Sequence, residues 1–258
     1  MSTSQSRFFV DGEHLAVEVY NSTIGSKPTA AVLVLHGAGQ SDKNRCRTTC
    51  EVLVRLGCQC VTFDFSGAGQ SSHRYPITLA KRTNEARAVL QDYCSSNLDR
   101  YVLAFSMSGH SAIELAAEPM LRISGLILCS PAIYAEEACQ IPFGPEFTNC
   151  LHRPLSWRTS ASPRHLAKFG GKVCLIRPVN DNVIPEEVFS ILESVIPSAN
   201  YSKVVIDDAA HALGVWFNAH PKKAVVAIGQ AWEYLTGQCN LAGDCRARSQ
   251  YCSLNRSG

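Results

Sequence analysis

Short apolar runs alternate along this chain with segments of helical spacing, and that alternation limits the fold more than any other feature. Ala30–Leu35, Cys58–Phe65, Tyr101–Phe105, Ile123–Cys129 and Lys172–Arg177 are rich in β-branched and other apolar residues, as expected of strands covered on both faces. Between and after them the spacing predicts helices over Asn44–Leu56, Thr78–Asn97, the segment following Ser106, Glu186–Ile196 and Pro221–Thr236, with a further strand at Tyr201–Ile206. In Thr78–Asn97 the polar face carries Lys81, Arg82 and Glu85, and the apolar face Ala86, Val89, Leu90 and Tyr93. Helices crossing between buried strands give an α/β fold: a mostly parallel central sheet with helices on both faces and right-handed crossovers. Two short strands, Arg7–Val10 and His14–Tyr20, flank Asp11-Gly12, a typical two-residue hairpin turn. Asn21–Thr29 is a linker rich in Ser, Gly and Pro.

The 258 residues, 46% hydrophobic and 18% charged, suffice for one large domain over 1–258. A net charge of +2 supplies no basic face for nucleic acid or an anionic membrane. The start of the chain has no apolar signal region, and no run approaches the ~18 residues that span a bilayer. The expectation is a cytoplasmic protein without stable membrane insertion. Twelve cysteines contain no C-x-x-C pair. Most sit within apolar runs, as small buried hydrophobes do. Cys239, Cys245 and Cys252 have metal-ligand chemistry but no fourth ligand at zinc spacing. Tyr134 to about Lys168 breaks the strand–helix rhythm with prolines and aromatics, and Gly237–Gly258 is polar and expected to be loose.

In a parallel sheet the site lies at the carboxyl ends of the strands. His36, Asp64, Ser106, Ser130 and Asp181 all fall at or just past such ends. Ser106 lies where a strand turns directly into a helix, with Ala104 before it and Ser108 and Gly109 after it. Such a turn exposes the side chain and aims the first helical amides at whatever the hydroxyl attacks. A serine hydroxyl becomes a nucleophile only when a base takes its proton, so it needs a histidine oriented by a carboxylate. Asp181 follows the run Lys172–Arg177, and His211 follows Tyr201–Ile206. Ser108 and Ser111 fall within the helix, Asp207 and Asp208 fit the loop of His211, and surface or capping roles suffice for His110 and His220. His36-Gly-Ala-Gly39 lacks the Lys-Ser/Thr of a phosphate loop, and no G-x-G-x-x-G is present.

His36-Gly37-Ala38-Gly39, Asp64-x-x-Gly67-x-Gly69-x-Ser71, the Ser106 turn, Asp181-x-x-x-Pro185 and Ala210-His211 together resemble the α/β-hydrolases over roughly residues 8 to 236. The resemblance implies that Ser106 is the nucleophile, His211 the general base and acid, and Asp181 the orienting carboxylate. It places the oxyanion on the amides of Ala38 and Met107, makes His36 and Asp64 structural, and calls for no metal or organic cofactor. The implied reaction is hydrolysis of a carboxylic ester through an acyl-enzyme. Thioesterase or acyltransferase chemistry on acyl-CoA or acyl carrier protein is the alternative, and a non-catalytic binding protein on the same scaffold the second. Two departures stand out. The turn reads Ala-Phe-Ser-Met-Ser where Gly-x-Ser-x-Gly is usual, a variant also found in the acyl-carrier-protein thioesterases of bacterial bioluminescence. Arg177-Pro178 opens the acid loop, with Arg177 a possible partner of Asp181. The 134–168 segment stands where relatives carry a cap, and its aromatics favour an apolar acyl or aromatic substrate.

Overall fold

The computed structural model describes residues 1–22 and 27–238. Eight strands form one sheet in the order β1-β2-β4-β3-β5-β6-β7-β8. β1 (Ser2–Val10) and β2 (Glu13–Asn21) make the expected hairpin, and β2 also pairs antiparallel with β4 (Cys58–Phe63). From β4 through β3 (Ala30–Leu35), β5 (Asp99–Phe105), β6 (Ile123–Cys129) and β7 (Lys172–Asn180) to β8 (Tyr201–Ala210), every pairing is parallel. β3 shows why these runs are apolar throughout. Ala31, Leu33 and Leu35 pack into one core with residues of α2 (Leu79–Tyr93), α3 (Ser108–Ala116) and α6 (Glu186–Val195). Ala30, Val32 and Val34 pack into the opposite core with residues of α1 (Arg47–Arg55) and α8 (Pro221–Thr236). Both sides of each strand are therefore apolar, and the alternation of a half-exposed strand is lost.

The expected elements are present, with ends shifted by tertiary contacts. A 3₁₀ turn, Lys43–Cys46, precedes α1, and Thr78 caps α2 by accepting the amide of Lys81 at 3.0 Å. The α7 helix (Leu213–Ala219) lies in a stretch without an expected element. Asp207 and Asp208 belong to the extended end of β8 and not to the loop of His211. The polar face of α2 also differs from expectation. Arg82 and Glu85 are buried, and Lys81 ion-pairs at 2.9 Å with Glu13, whose side chain is fully buried at the sheet margin. These charges hold distant segments together where a solvated surface was expected.

The 134–168 segment folds into the 3₁₀ turns Glu136–Gln140 and Ser156–Thr159 and the helices α4 (Pro145–Leu151) and α5 (Ser162–Lys168). Ala135, Ala138, Phe147 and Cys150 pack with Leu79 at the start of α2 and with Met107. The segment thus covers the turn between β5 and α3. Nine of the cysteines lie among the described residues and carry free thiols, eight of them buried. Cys239, Cys245, Cys252 and the rest of the tail from residue 239 lie outside the described residues. Among the described residues, no helix is long and apolar enough to cross a membrane.

Candidate active site

β5 ends against α3 with only Ser106 and Met107 between them, and Ser106 takes a φ of +50°. A side chain at positive φ costs on the order of 1–3 kcal/mol and persists only where its surroundings enforce it. Here the Ser106 amide donates to the Cys129 carbonyl at 2.9 Å. Its own carbonyl accepts from the amides of Gly109 at 2.8 Å and Ala132 at 3.0 Å. Both termini of the turn are thus tied to the end of β6.

The hydroxyl of Ser106 lies 2.8 Å from Nε2 of His211. On the other side of the ring, Nδ1 of His211 lies 3.1 and 3.0 Å from the two carboxylate oxygens of Asp181. Nδ1 therefore carries the proton and Nε2 is left to accept from the hydroxyl. Asp181 Oδ1 also accepts from the amides of Val183 and Ile184, each at 3.0 Å. Burial by itself would raise the pKa of Asp181. The hydrogen bond from His211 and the amides of Ile184 and Val183 outweigh it and hold the carboxyl below the usual carboxylate range. Three residues separated by 105 and 30 positions in the chain converge in this way above the sheet.

The unusual turn residues have distinct accommodations. Ala104 is fully buried, in register with Leu35 on one side and Leu128 on the other. The hydroxyl of Ser108 donates to the His36 carbonyl at 2.5 Å and accepts from Nη2 of Arg82 at 3.0 Å. The position with no room for a side chain is the next one. A Cβ on Gly109 would fall 2.6 Å from Cβ and 2.9 Å from Cα of Pro131. Arg82 also donates to the carbonyls of His36 at 3.1 Å and Gly37 at 3.2 Å, and its guanidinium stacks 3.6 Å from the ring centre of Phe65. It pins the loop that presents Ala38. Among the described residues, the amides of Ala38 and Met107 donate to no other group. Both residues line the cleft of about 290 Å³ that contains Ser106 and His211.

His36 and Asp64 support these loops from beneath. His36 uses Nδ1 on the Gly37 carbonyl at 2.8 Å and accepts the Phe65 amide on Nε2 at 3.3 Å. Burial, reinforced by the Arg82 cation, lowers its pKa to about 3, so it stays neutral. Asp64 accepts from both the amide and the ammonium of Lys43 at 2.7 Å, and from the Gln70 amide at 2.8 Å.

The competing residues are occupied elsewhere. Ser111 bonds Thr83 at 3.0 Å, and Asp208 ion-pairs with Lys223. His220 stacks on Trp216 with ring centres 4.6 Å apart. His110 has neither a surface nor a capping role. It is 3% exposed, between Cys139 at 3.6 Å and Ser162 at 3.4 Å, and so bridges α3 to the 134–168 segment. Arg177 does not engage Asp181, because its guanidinium is held by Glu186 at the start of α6, at 2.8 Å through Nη1. Sequence reasoning did not single out Lys43, which directly precedes the stretch that reads as helix, or Arg45 and Val215, which line the cleft. Nothing local marks any of the three.

This sheet order, with a serine at positive φ between β5 and α3, defines an α/β-hydrolase. Within that class the chain belongs to the family described as serine aminopeptidase S33, whose model matches residues 26–169. No curated protein matches the sequence at a significant level. Among solved structures, the fold is similar to Est1E of Butyrivibrio proteoclasticus, solved with ferulic acid bound, with a TM-score of 0.70 at 18% identity over 90% of this chain and 100% of that one. It is similar to the thioesterase domain of the curacin biosynthetic pathway, with a TM-score of 0.65 at 15% identity over 88% and 99% of the two chains. It is also similar to the esterase Pf2001 of Pyrococcus furiosus, with a TM-score of 0.62 at 19% identity over 90% of each. At these identities the likeness is one of fold.

Proposed function

We propose that the chain is a serine esterase acting through an acyl-enzyme, with Ser106, His211 and Asp181 as its triad and Ala38 and Met107 as its oxyanion amides. The hydrogen-bonded relay from Ser106 to Asp181 carries this reading. The Ser106 oxygen adds to the ester carbonyl while its proton passes to Nε2 of His211. The carbonyl oxygen becomes an oxyanion held by the two amides, each worth on the order of 10²–10³ in rate. Collapse expels the alkoxide, which takes the proton from His211 and leaves as the alcohol. Water then repeats the sequence on the acyl-enzyme, releasing the acid and restoring Ser106. Asp181 stays ionised throughout and stabilises the imidazolium.

Tyr134, Phe105, Val183 and Val215 give the cleft apolar walls, which suit an apolar acyl or aromatic group. The 134–168 segment then acts as a small cap within a single hydrolase domain. An aminopeptidase reading is less well supported. Recognition of a free α-amino group calls for a carboxylate in the cleft, and among the described residues lining it there is no Asp or Glu. A thioester substrate, on acyl-CoA or acyl carrier protein, uses the same residues. The Ala-Phe-Ser-Met-Ser turn and the likeness to a thioesterase domain favour it as the second reading. Free thiols throughout the described residues suit a reducing compartment, in keeping with a cytoplasmic setting.

A serine-directed fluorophosphonate tests the proposal. Folded protein should form an adduct on Ser106, Ser106→Ala should form none, and p-nitrophenyl esters and acyl-CoAs of graded length should then rank ester against thioester. Absence of an adduct in folded protein would instead indicate a binding protein on a hydrolase scaffold.

A further inference from the structure

The charge in the cleft is unbalanced. Arg45 lines it together with Ser106 and His211, from the 3₁₀ turn Lys43–Cys46. One Nη donates to the Gln40 carbonyl, and among the described residues Arg45 forms no ion pair. Its neighbour Lys43 is neutralised by Asp64 at 2.7 Å, but no carboxylate among the described cleft-lining residues does the same for Arg45. The position is built into the fold. A Cβ on Gly214 would stand 3.0 Å from the Arg45 carbonyl, so the glycine lets α7, which follows His211, press against this turn. Arg45 is thereby lodged between the loop that carries Ala38 and the helix that follows His211. Around it Val183 and Val215, 58% and 46% exposed, line the same cleft with apolar surface.

An unpaired guanidinium in an apolar-walled cleft gains most from an anion that arrives with the ligand. Filling the cleft removes water and strengthens the attraction, and the planar fork matches a carboxylate or phosphate in two parallel hydrogen bonds. We propose that Arg45 is a specificity residue that binds an anionic group, carboxylate or phosphate, on an otherwise apolar ester or thioester. This rests on Ser106 being the nucleophile and adds the chemical class of the substrate.

Matched pairs of substrates, each differing in one anionic group, test it. 4-Nitrophenyl hemiglutarate against 4-nitrophenyl methyl glutarate places a carboxylate on the acyl side. The butyrate ester of 4-hydroxybenzoate against that of methyl 4-hydroxybenzoate places it on the alcohol side. Butyryl glycerol 3-phosphate against monobutyrin supplies a phosphate. The wild type should prefer the anionic member of at least one pair about tenfold or more in kcat/KM, and the preferred pair identifies the source of the anion. Arg45→Ala should bring that ratio close to one, and Arg45→Lys should keep part of it. Because the readout is a ratio within one protein, a general loss of activity does not mimic the result. No preference in any pair, or a preference that survives Arg45→Ala, overturns the assignment. Fluorophosphonate labelling separates the two readings. Labelled Ser106 without charge preference removes Arg45 alone, whereas unlabelled Ser106 removes the esterase reading and Arg45 with it.

Discussion

Asp181 and Ser108 show how one side chain at the site depends on partners far away in sequence. Asp181→Asn keeps the shape of the acid but offers His211 a neutral group, so the ring loses both its preferred tautomer and the charge that stabilises its protonated form. A fall of on the order of 10³–10⁴ in kcat, measured with any ester the wild type turns over, is expected. Asp208→Asn, whose carboxylate faces Lys223, should change kcat by less than about twofold. Ser108→Ala removes the group that both caps the His36 carbonyl and receives Arg82. The His36 carbonyl and Arg82 keep their bond to each other, and Arg82 keeps its bond to the Gly37 carbonyl. The loss of the serine's two hydrogen bonds should therefore cost about 1 kcal/mol in urea denaturation. The sequence named Ser106, Asp181 and His211, because each follows a strand end in a recognisable setting. It did not name the use of Ser108, because a serine in the first turn of a helix is equally suited to solvent.

The unit of β5, its turn and α3 is positioned by contact with the end of β6 as well as by its own residues. At Gly109 that contact leaves no room for a side chain. Gly109→Ala must push α3 away from Pro131, a backbone neighbour that cannot swing aside, and the expected cost is about 1–3 kcal/mol. The same displacement should slow fluorophosphonate labelling of Ser106, since the Ser106 carbonyl accepts from both Gly109 and Ala132. Equal stability and equal labelling rate would show the contact to be immaterial. Elements were legible where their residues meet a uniform environment: β3 and β6 lie where their apolar runs do, and α8 spans Pro221–Thr236 as its spacing indicates. The burial of the α2 polar face was not legible, because Lys81, Arg82 and Glu85 have the spacing of a solvated face and their partners lie in β2 and the loops after β3 and β4.

Across the whole molecule, two histidines, His36 and His110, are buried and neutral. Burial lowers both, with Arg82 contributing for His36 and His165 for His110, to about 3 and about 4. In the unfolded chain each titrates near the ordinary value of about 6.5. Their contribution to stability is therefore complete above about pH 6.5. It is lost on acidification as the unfolded chain takes up protons that the folded one refuses, down to about pH 4 for His110 and about pH 3 for His36. The slope approaches ~1.4 kcal/mol per pH unit for each histidine. His110→Phe should flatten the decline between pH 6 and pH 4.5 in urea denaturations at stepped pH, and an unchanged slope would contradict the assignment.

The sequence by itself determined the mostly parallel sheet and the three residues that meet beyond the ends of its strands. Burial on both faces and a serine wedged between strand and helix are local conditions that leave local patterns. Only the tertiary structure decided which charges are neutralised. Lys43 with Asp64, Arg177 with Glu186, Arg82 with the backbone of the His36 loop and Arg45 with no acid among the described residues are outcomes of distance in space. Coulomb energy and desolvation depend on that distance and on the surrounding dielectric, and neither leaves a periodic trace along the chain.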